Sequence, residues 1–132
     1  FRHAIAVTEN NTVAYNNLGL RLMDEGKPNQ ALEHFQRAHE IAPGNLQALN
    51  NLGAAHLLGG HYAEAAHIFA ALLEPWPDDP EVRVNLGLAL YYLGDAQAAQ
   101  HHALRALEAA PGFQKAQALL GFLTKQRDRE PH

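Results

Sequence analysis

Nine histidines are the residues of this sequence that first suggest chemistry, because imidazole is a common metal ligand. A helical metal site needs two ligands on one face, three or four residues apart. His34 and His39 are five residues apart, whereas His101 and His102 are adjacent and diverge by about 100° around a helix. We therefore predict histidines on the outer surfaces of helices, with no metal site and no cofactor.

A second candidate for chemistry is the acidic group Asp78, Asp79 and Glu81, since paired carboxylates can act as general acid and base. Asp79 precedes Pro80, and this order is typical of a helix start, where the carboxylate caps free N–H groups. The acidic group therefore has a structural explanation. The chain also has no cysteine and no serine, which excludes disulfides and the commonest nucleophiles. We predict that it is not an enzyme.

The composition excludes several further classes of protein. The 132 residues predict one domain, and 47% hydrophobic residues exclude a disordered tail. A net charge of −4 with only 18% charged residues excludes a polybasic nucleic-acid binder, and no apolar run reaches the ~18–20 residues of a membrane span. The chain starts with Phe1 and has no signal-peptide pattern, so we expect it to begin within a longer protein. The absence of cysteine fits the cytoplasm and the periplasm equally, so the sequence leaves the compartment open.

Self-similarity at a spacing of 34 residues indicates which elements position these side chains. The sequence Asn-Asn-Leu-Gly occurs at residues 16–19 and 50–53, and Val-Asn-Leu-Gly follows at 84–87. Further columns repeat at the same spacing: Gly26, Gly60 and Gly94; Ala31, Ala65 and Ala99; Pro43, Pro77 and Pro111. Such a period predicts a stack of similar structural units.

Each 34-residue copy is predicted to form two helices. Ala14, Leu18 and Leu22 build one apolar helical stripe, and Ala31 and Phe35 begin a second. Glycine allows the turn between the helices, and proline ends the copy. The helices are expected at about 12–25, 28–41, 46–58, 62–74, 80–93, 96–109 and 114–126.

The pattern resembles the tetratricopeptide repeat. In the first copy it is carried by Tyr15, Leu18, Gly19, Leu22, Ala31, Phe35, Ala38 and Pro43, whereas the third copy departs from it at Arg83 and Ala103. The resemblance implies an all-α, right-handed helical-repeat solenoid of antiparallel helix pairs. It divides the chain into the tail of a preceding repeat (1–11), three repeats (12–45, 46–79 and 80–113) and a capping helix or start of a fourth repeat (114–130).

The resemblance also implies a site, because in this family the first helices line a concave groove that binds an extended peptide. The peptide-binding residues would be Asn16, Asn17, Leu20, Met23, Asn50, Asn51, Leu57, Asn85, Leu88, Tyr91, Tyr92 and Phe122. Asn17, Asn51 and Asn85 form a ladder similar to the asparagine ladder in the repeat domain of O-linked N-acetylglucosamine transferase. A side-chain amide can donate to and accept from a peptide backbone. Alternatively, these asparagines bond neighbouring helices.

One subfamily binds the acidic C-termini of heat-shock chaperones through a clamp of lysines, an arginine and asparagines. At the clamp lysine positions this sequence has Asn16 and Glu81, and at the arginine position it has Asn85. Leu20 replaces one clamp asparagine, and only Asn51 matches. The sequence therefore predicts that this clamp is absent.

Three features of the sequence leave alternatives open. Residues 1–11 running into 15–19 resemble the soluble C-terminal repeats of membrane-embedded O-mannosyltransferase-like proteins, which implies an arm that recruits acceptor proteins. Exposed stacking edges would permit a structural spacer that associates end to end. Trp76, between Pro75 and Pro77, would either cover a junction between repeats or anchor a partner.

Overall fold

The computed structural model describes residues 2–129, with side chains from residue 10 onward, and this part of the chain forms α-helices and no strand. The helices are α1 (Arg2–Asp24), α2 (Pro28–Ile41), α3 (Leu46–Leu58), α4 (Tyr62–Leu72), α5 (Pro80–Tyr92), α6 (Ala96–Ala109) and α7 (Gln114–Arg129). The predicted all-α class is confirmed, and α2 to α7 begin where the sequence pattern places them. Within residues 2–129, no helix is both long enough and apolar enough for a bilayer crossing.

The first helix differs from the prediction, because α1 begins at Arg2 and not near residue 12. No proline or glycine occurs between Arg2 and Leu18, so nothing in this stretch interrupts the hydrogen-bond ladder of a helix. Most side chains of residues 1–11, which were predicted to be the tail of a preceding repeat, lie outside the described residues.

Three glycines end the first helices in the same way. Gly26, Gly60 and Gly94 have φ angles of 75°, 85° and 97°, which a residue with a Cβ rarely adopts. After each glycine, the next backbone N–H bonds back to a carbonyl five residues earlier; for example, Lys27 N donates to Leu22 O at 2.8 Å. The turn predicted from the repeated glycine column is therefore confirmed.

Side-chain caps fix the starts of three helices. The Asp79 carboxylate accepts a hydrogen bond from Val82 N at 3.1 Å, and Pro80 occupies the first helical position, as predicted. Asn45 and Asp95 cap α3 and α6 by the same contact. The acidic residue that could have suggested acid–base chemistry thus serves a structural purpose.

The chain divides into two compact units, residues 1–68 (unit 1) and 69–132 (unit 2), whereas its length predicted a single domain. In repeat proteins each helix pair packs mainly on its sequence neighbours, so contacts do not converge on one centre. Within unit 1, α2 packs against α1 and α3; within unit 2, α6 packs against α5 and α7.

A close approach of two helices organises unit 1. Ala31, Phe35, Leu52 and Ala55 form its buried core, and Met23 is among the half-buried residues packed against them. The Phe35 ring lies so close to Gly19 that a methyl group on this glycine would overlap it. Gly19 therefore lies at a helix contact that leaves no room for a side chain.

In unit 2, the second helix also approaches a glycine of the first helix, but different side chains form the contact. Its buried core consists of Val84, Ala99, Ala103, Ala106, Ala116, Leu119 and Leu123. Ala103 occupies the column of Phe35 and has no ring, and a Cβ on Gly87 would instead meet Leu119 Cδ2 at 3.2 Å and the Ala99 carbonyl at 3.3 Å. The departure of the third copy at Ala103 is therefore accompanied by a leucine methyl from α7.

Part of the apolar stripe predicted for the first helix is not core. Leu18 is 41% exposed, and Ala14 is also exposed, whereas Leu52 in the same column as Leu18 is only 4% exposed. Leu52 is covered because it packs with Ala31 and Phe35 of the preceding second helix. No second helix precedes α1 among the described residues, so Leu18 lacks this cover.

Gly19→Ala is expected to lower the free energy of unfolding by roughly 1–3 kcal/mol, because the new methyl overlaps the Phe35 ring in a packed core. Urea unfolding followed by circular dichroism measures the change.

Gly121→Ala is the matched control, because Gly121 lies in the same column and a Cβ there meets no atom within 4 Å. Alanine is a better helix former than glycine by up to about 1 kcal/mol, so this variant should be as stable as the parent or more so. Equal effects of the two substitutions would contradict the close-approach interpretation.

Candidate functional site

The first helices of unit 1, α1 and α3, lie against each other and present mixed apolar and amide side chains. Asn17 and Leu20 are exposed on α1, while Asn51 and Leu57 are half-buried on α3. Met23, also predicted for the groove, packs against the unit 1 core and presents only part of its surface. The face therefore combines hydrogen-bonding groups with uncovered aliphatic surface.

The three ladder asparagines have different surroundings. The Asn51 Oδ1 atom accepts a hydrogen bond from Gln47 Nε2 at 3.3 Å on the surface of α3. The side chains of Asn17 and Asn85 make no hydrogen bond to the described residues. None of the three predicted rungs therefore uses its amide for a bond between helices, since Gln47 and Asn51 both belong to α3.

Two other predicted peptide-binding asparagines are oriented differently. Asn16 and Asn50 occupy one column, and their Oδ1 atoms are buried without a hydrogen-bond partner among the described residues. A buried acceptor without a donor costs about 1–3 kcal/mol of stability. Val84 occupies this column in unit 2, where it is part of the core. The two amide oxygens thus face the interior and cannot accept from a ligand in this conformation.

Asn50→Leu is expected to raise the free energy of unfolding by about 1 kcal/mol, because it replaces the unpaired buried acceptor with an apolar side chain of similar size. Asn51→Leu is the matched control one residue later; it removes a surface contact with Gln47 and should change stability by less than about 0.5 kcal/mol. Chemical unfolding of both variants checks this, and a loss of stability in Asn50→Leu would contradict it.

The first helices of unit 2, α5 and α7, hold an aromatic cluster, which we define as Tyr91, Tyr92 and Phe122. The Tyr91 ring lies 5.2 Å from Phe122 and 5.4 Å from Tyr92, in edge-to-face contact with both. Tyr92 is 56% and Phe122 42% exposed. The structure thus brings together three of the predicted peptide-binding residues, while Leu88 packs partly into the core beneath them.

The aromatic cluster adjoins a cavity of about 430 Å³ between the start of α6 and the end of α7. Tyr91 forms one wall, and most of the remaining walls are polar or charged: the lining also includes Ala96, Gln97, Gln100, Leu123, Thr124, Gln126 and Arg127. A concave surface with apolar and hydrogen-bonding groups together is typical of ligand-binding sites. The cavity was not predicted from the sequence, because its walls come from three helices, α5, α6 and α7, with no repeated motif.

An ion pair joins α5 and α7 on the first-helix side of unit 2. Lys115 Nζ lies 2.7 Å from Glu81 Oε1, and both side chains are largely exposed. The two residues are 34 positions apart and therefore occupy equivalent places in successive copies. Glu81 was predicted to face the groove, and the pair places its carboxylate against the single lysine at the start of α7.

The described histidines are not grouped as possible metal ligands. Among the described residues, no three histidine, aspartate or glutamate side chains come close enough to hold an ion. Five of the described histidines have specific contacts instead: His34, His56, His61, His101 and His102. His61 Nε2 is 2.9 Å from Asn29 Oδ1, and its ring meets that of His56 at right angles. Burial and the nearby His61 lower the pKa of His56, while Glu64 opposes the shift.

Arg83 has contacts that the sequence analysis did not foresee. It donates to the Pro77 carbonyl through Nε at 3.4 Å and Nη2 at 3.2 Å, and to His102 Nδ1 through Nη1 at 3.1 Å. The same pair of columns holds Tyr15 and His34 in unit 1, whose rings stack at 6.2 Å. Arg83, which replaces the aromatic residue of this column, therefore still contacts the second helix, through its hydrogen bond to His102.

Burial, the positive charge of Arg83 and the neighbouring His101 together lower the pKa of His102 to about 4. The unfolded chain has the ordinary histidine pKa of about 6.5 and binds a proton at higher pH than the folded chain. Stability is therefore fully present above pH 6.5 and is lost as the pH falls towards 4.

Between pH 7 and pH 5, the wild type should lose about 1 kcal/mol more stability than His102→Gln, a value reduced for the half-exposed position of the ring. Glutamine can still accept from Arg83 but does not titrate. Urea unfolding of both proteins across this pH range measures the difference. Parallel pH profiles would contradict the assignment.

Trp76 is half-buried in the segment before α5, and its backbone carbonyl accepts from Asp79 N at 3.3 Å. Both interpretations of this residue, junction cover and partner anchor, stay predictions.

Two family models, both described as tetratricopeptide repeat, match residues 22–86 and 80–113, and together they span most of the described helices. No curated protein sequence matches significantly.

Solved structures with similar folds include three informative ones. The second tetratricopeptide domain of human RPAP3, in complex with the HSP70 peptide SGPTIEEVD, has a TM-score of 0.79 at 20% identity and covers 89% of this chain and 98% of its own. YrrB, a tetratricopeptide protein with an unusual peptide-binding site, has a TM-score of 0.76 at 25% identity. The match covers 81% of this chain and 55% of YrrB. The Thermobaculum terrenum O-GlcNAc transferase has a TM-score of 0.80 at 24% identity, but only 22% of that chain is covered, against 88% of this one.

Proposed function

The chain belongs to the tetratricopeptide repeat family, and on this premise we propose that it is a non-enzymatic interaction module that binds an extended segment of a partner protein on the faces of its first helices. The binding faces are α1 and α3 in unit 1, and α5 and α7 in unit 2. Catalysis has no place in this proposal, since the acidic residue Asp79 caps a helix and no three possible ligands gather for a metal among the described residues.

The aromatic cluster of unit 2 is the observation that carries the proposal. Tyr92 and Phe122 keep about half of their surface exposed although both are large aromatic residues, and Tyr91 holds them in edge-to-face contact. Aromatic side chains bury large apolar areas, and tyrosine is frequent among the few residues that contribute most to binding at interfaces. An apolar side chain of a bound segment would cover these rings and fill part of the adjoining cavity.

Amide groups supply the second kind of contact. Asn17 and Asn85 have side chains with unused hydrogen-bonding capacity, and Asn51 is bonded only to a surface glutamine. Each amide can donate to a backbone carbonyl and accept from a backbone N–H of an extended segment. Such contacts hold a chain irrespective of its side chains, while the aromatic cluster selects an apolar residue. Asn16 and Asn50 are not part of the proposed contact surface, since their oxygens are buried.

Peptide complexes of similar folds support the class of partner. The human RPAP3 domain is bound to an HSP70 peptide, and YrrB, at 25% identity, is described as having a peptide-binding site. The likeness to O-GlcNAc transferase, at 24% identity, shows a shared fold alone. The two other functions predicted from the sequence, a glycosyltransferase arm and an end-to-end spacer, have no support in the contacts or the comparisons.

The Tyr92→Ala/Phe122→Ala variant should bind peptides with apolar anchors at least ten-fold more weakly than the wild type, since each lost aromatic contact is worth about 1 kcal/mol or more. A peptide array at physiological salt, followed by fluorescence titration of the hits, measures this. Leu104→Ala is the control, because Leu104 is equally exposed but lies on the second helix α6.

The Asn17→Ala/Asn51→Ala/Asn85→Ala variant, tested on the same array, separates the two kinds of contact. It should weaken all hits by a similar factor, because backbone contacts do not depend on sequence. Circular dichroism confirms that each variant is folded. Equal binding by the wild type and both multiple variants, or no binding by the wild type, would refute the proposed function.

A further inference from the structure

The ion pair between Glu81 and Lys115 lies on the same two helices as the aromatic cluster. The contact of 2.7 Å is short for an ion pair and is therefore a charge-assisted hydrogen bond, yet both side chains remain largely in contact with solvent. Glu81 and Lys115 lie near the starts of α5 and α7, whereas the aromatic cluster lies toward the ends of the helices. A segment that runs along this face would pass both features.

The two charges of the ion pair balance each other, while Asp78, Asp79 and Arg83 lie near the start of α5 without an ion-pair partner among the described residues. Lys115 is neutralised by Glu81, and Arg83 on the same turn of α5 is directed to the Pro77 carbonyl and His102. Asn85, one turn further along α5, carries no charge. Lys125 lies on the last part of α7, beyond Phe122, and is about ten residues, or 15 Å of helix, away from Lys115.

We infer that Glu81 is a specificity-determining residue: by holding Lys115, it makes this end of the face select an uncharged segment with an apolar anchor and disfavour acidic segments. The inference rests on the proposed function and names the chemistry of its partner.

The physical reason is competition for one ammonium group. A partner carboxylate that approaches Lys115 must share the ammonium group with Glu81 or displace the Glu81 carboxylate. In either case, two carboxylates lie within about 4 Å of each other. In solvent this repulsion corresponds to about a five-fold loss of affinity. A partner lysine meets the equivalent repulsion from Lys115. Uncharged residues meet neither, so the local charge complementarity favours a neutral segment.

The similar fold of the human RPAP3 domain is bound to the peptide SGPTIEEVD, which carries two glutamates and an aspartate near its end. This chain has a glutamate at one of the positions where the acid-binding subfamily needs lysine, and the structure shows that this glutamate also occupies the nearest lysine. The position of Glu81 and its pairing with Lys115 together predict that this chain prefers uncharged segments, whereas the acid-binding subfamily prefers acidic ones.

Charge-swap binding measurements test the inference. Each apolar-anchored peptide that binds the wild type is synthesised in three versions, with two glutamines, two glutamates or two lysines beside the anchor. The wild type should bind the glutamine version best. Glu81→Gln frees Lys115 and should improve binding of the glutamate version about five-fold, and Lys115→Gln frees Glu81 and should improve binding of the lysine version by a similar factor. Both gains should shrink when salt is raised to 1 M.

The double variant Glu81→Gln/Lys115→Gln is the matched control, because it removes both charges and should show no shift in preference for either charged version relative to the wild type. Lys125 is present in all four proteins, so its attraction for acidic peptides cancels from the comparison. An exposed ion pair contributes about 0–1 kcal/mol to stability, so all variants should fold, and thermal melting checks this.

The outcomes separate this inference from the proposed function. Unchanged binding of the glutamine version by all four proteins, with no gain for charged versions in the single variants, would overturn the role of Glu81 and leave peptide binding intact. Tighter binding of SGPTIEEVD than of its glutamine–asparagine amide counterpart by the wild type would also overturn it. If the wild type binds no peptide of any version, the proposed function fails and this inference with it.

Discussion

The approach of a second helix onto a glycine of the first helix is the constraint on which the structure depends. At Gly19 the available space is filled by the Phe35 ring, and at Gly87 by Leu119 and the backbone of α6. A Cβ at Gly19 would overlap the Phe35 ring, and a Cβ at Gly87 would be in tight contact with Leu119 and the Ala99 carbonyl, so both contacts limit the distance between the helices. This distance decides which side chains of the first helix are turned inward and which remain on the opposite face. The candidate binding residues are those that the close contact leaves outside.

The fold was largely predictable from the sequence because its signals are local and repeated. Glycine columns predicted the turns, Asp79 and Pro80 predicted a helix start, and six of the seven helices begin at the predicted residues. The exception is α1, where the repeat pattern suggested a boundary near residue 12 but no residue in the stretch breaks a helix. Periodicity thus identifies equivalent positions, whereas the extent of an element is decided by its own hydrogen bonds and breakers.

The candidate site was less predictable, because residue type does not reveal side-chain direction within a column. Asn16 and Asn17 are neighbours of the same type, yet one has its oxygen buried and the other is exposed. The contacts of Arg83 with Pro77 and His102, and the pair of Glu81 with Lys115, require knowledge of which helices meet. The aromatic cluster was foreseen residue by residue, but its edge-to-face arrangement follows from packing of α7 on α5.

Phe35 occupies the space beside Gly19, whereas Leu119 occupies the space beside Gly87. This difference helps the chain to avoid misassembly. Repeated sequences can exchange equivalent helices between copies or molecules, because similar stripes match similar partners. In this chain an exchange of α2 and α6 would place the Phe35 ring where Leu119 already lies, and would leave Ala103 opposite Gly19 with nothing to fill the gap. One arrangement is overpacked and the other contains a void, so the exchange of α2 and α6 is unfavourable in both directions. Ala103, where the third copy departs from the repeat pattern, thereby distinguishes α6 from α2 in an otherwise periodic chain.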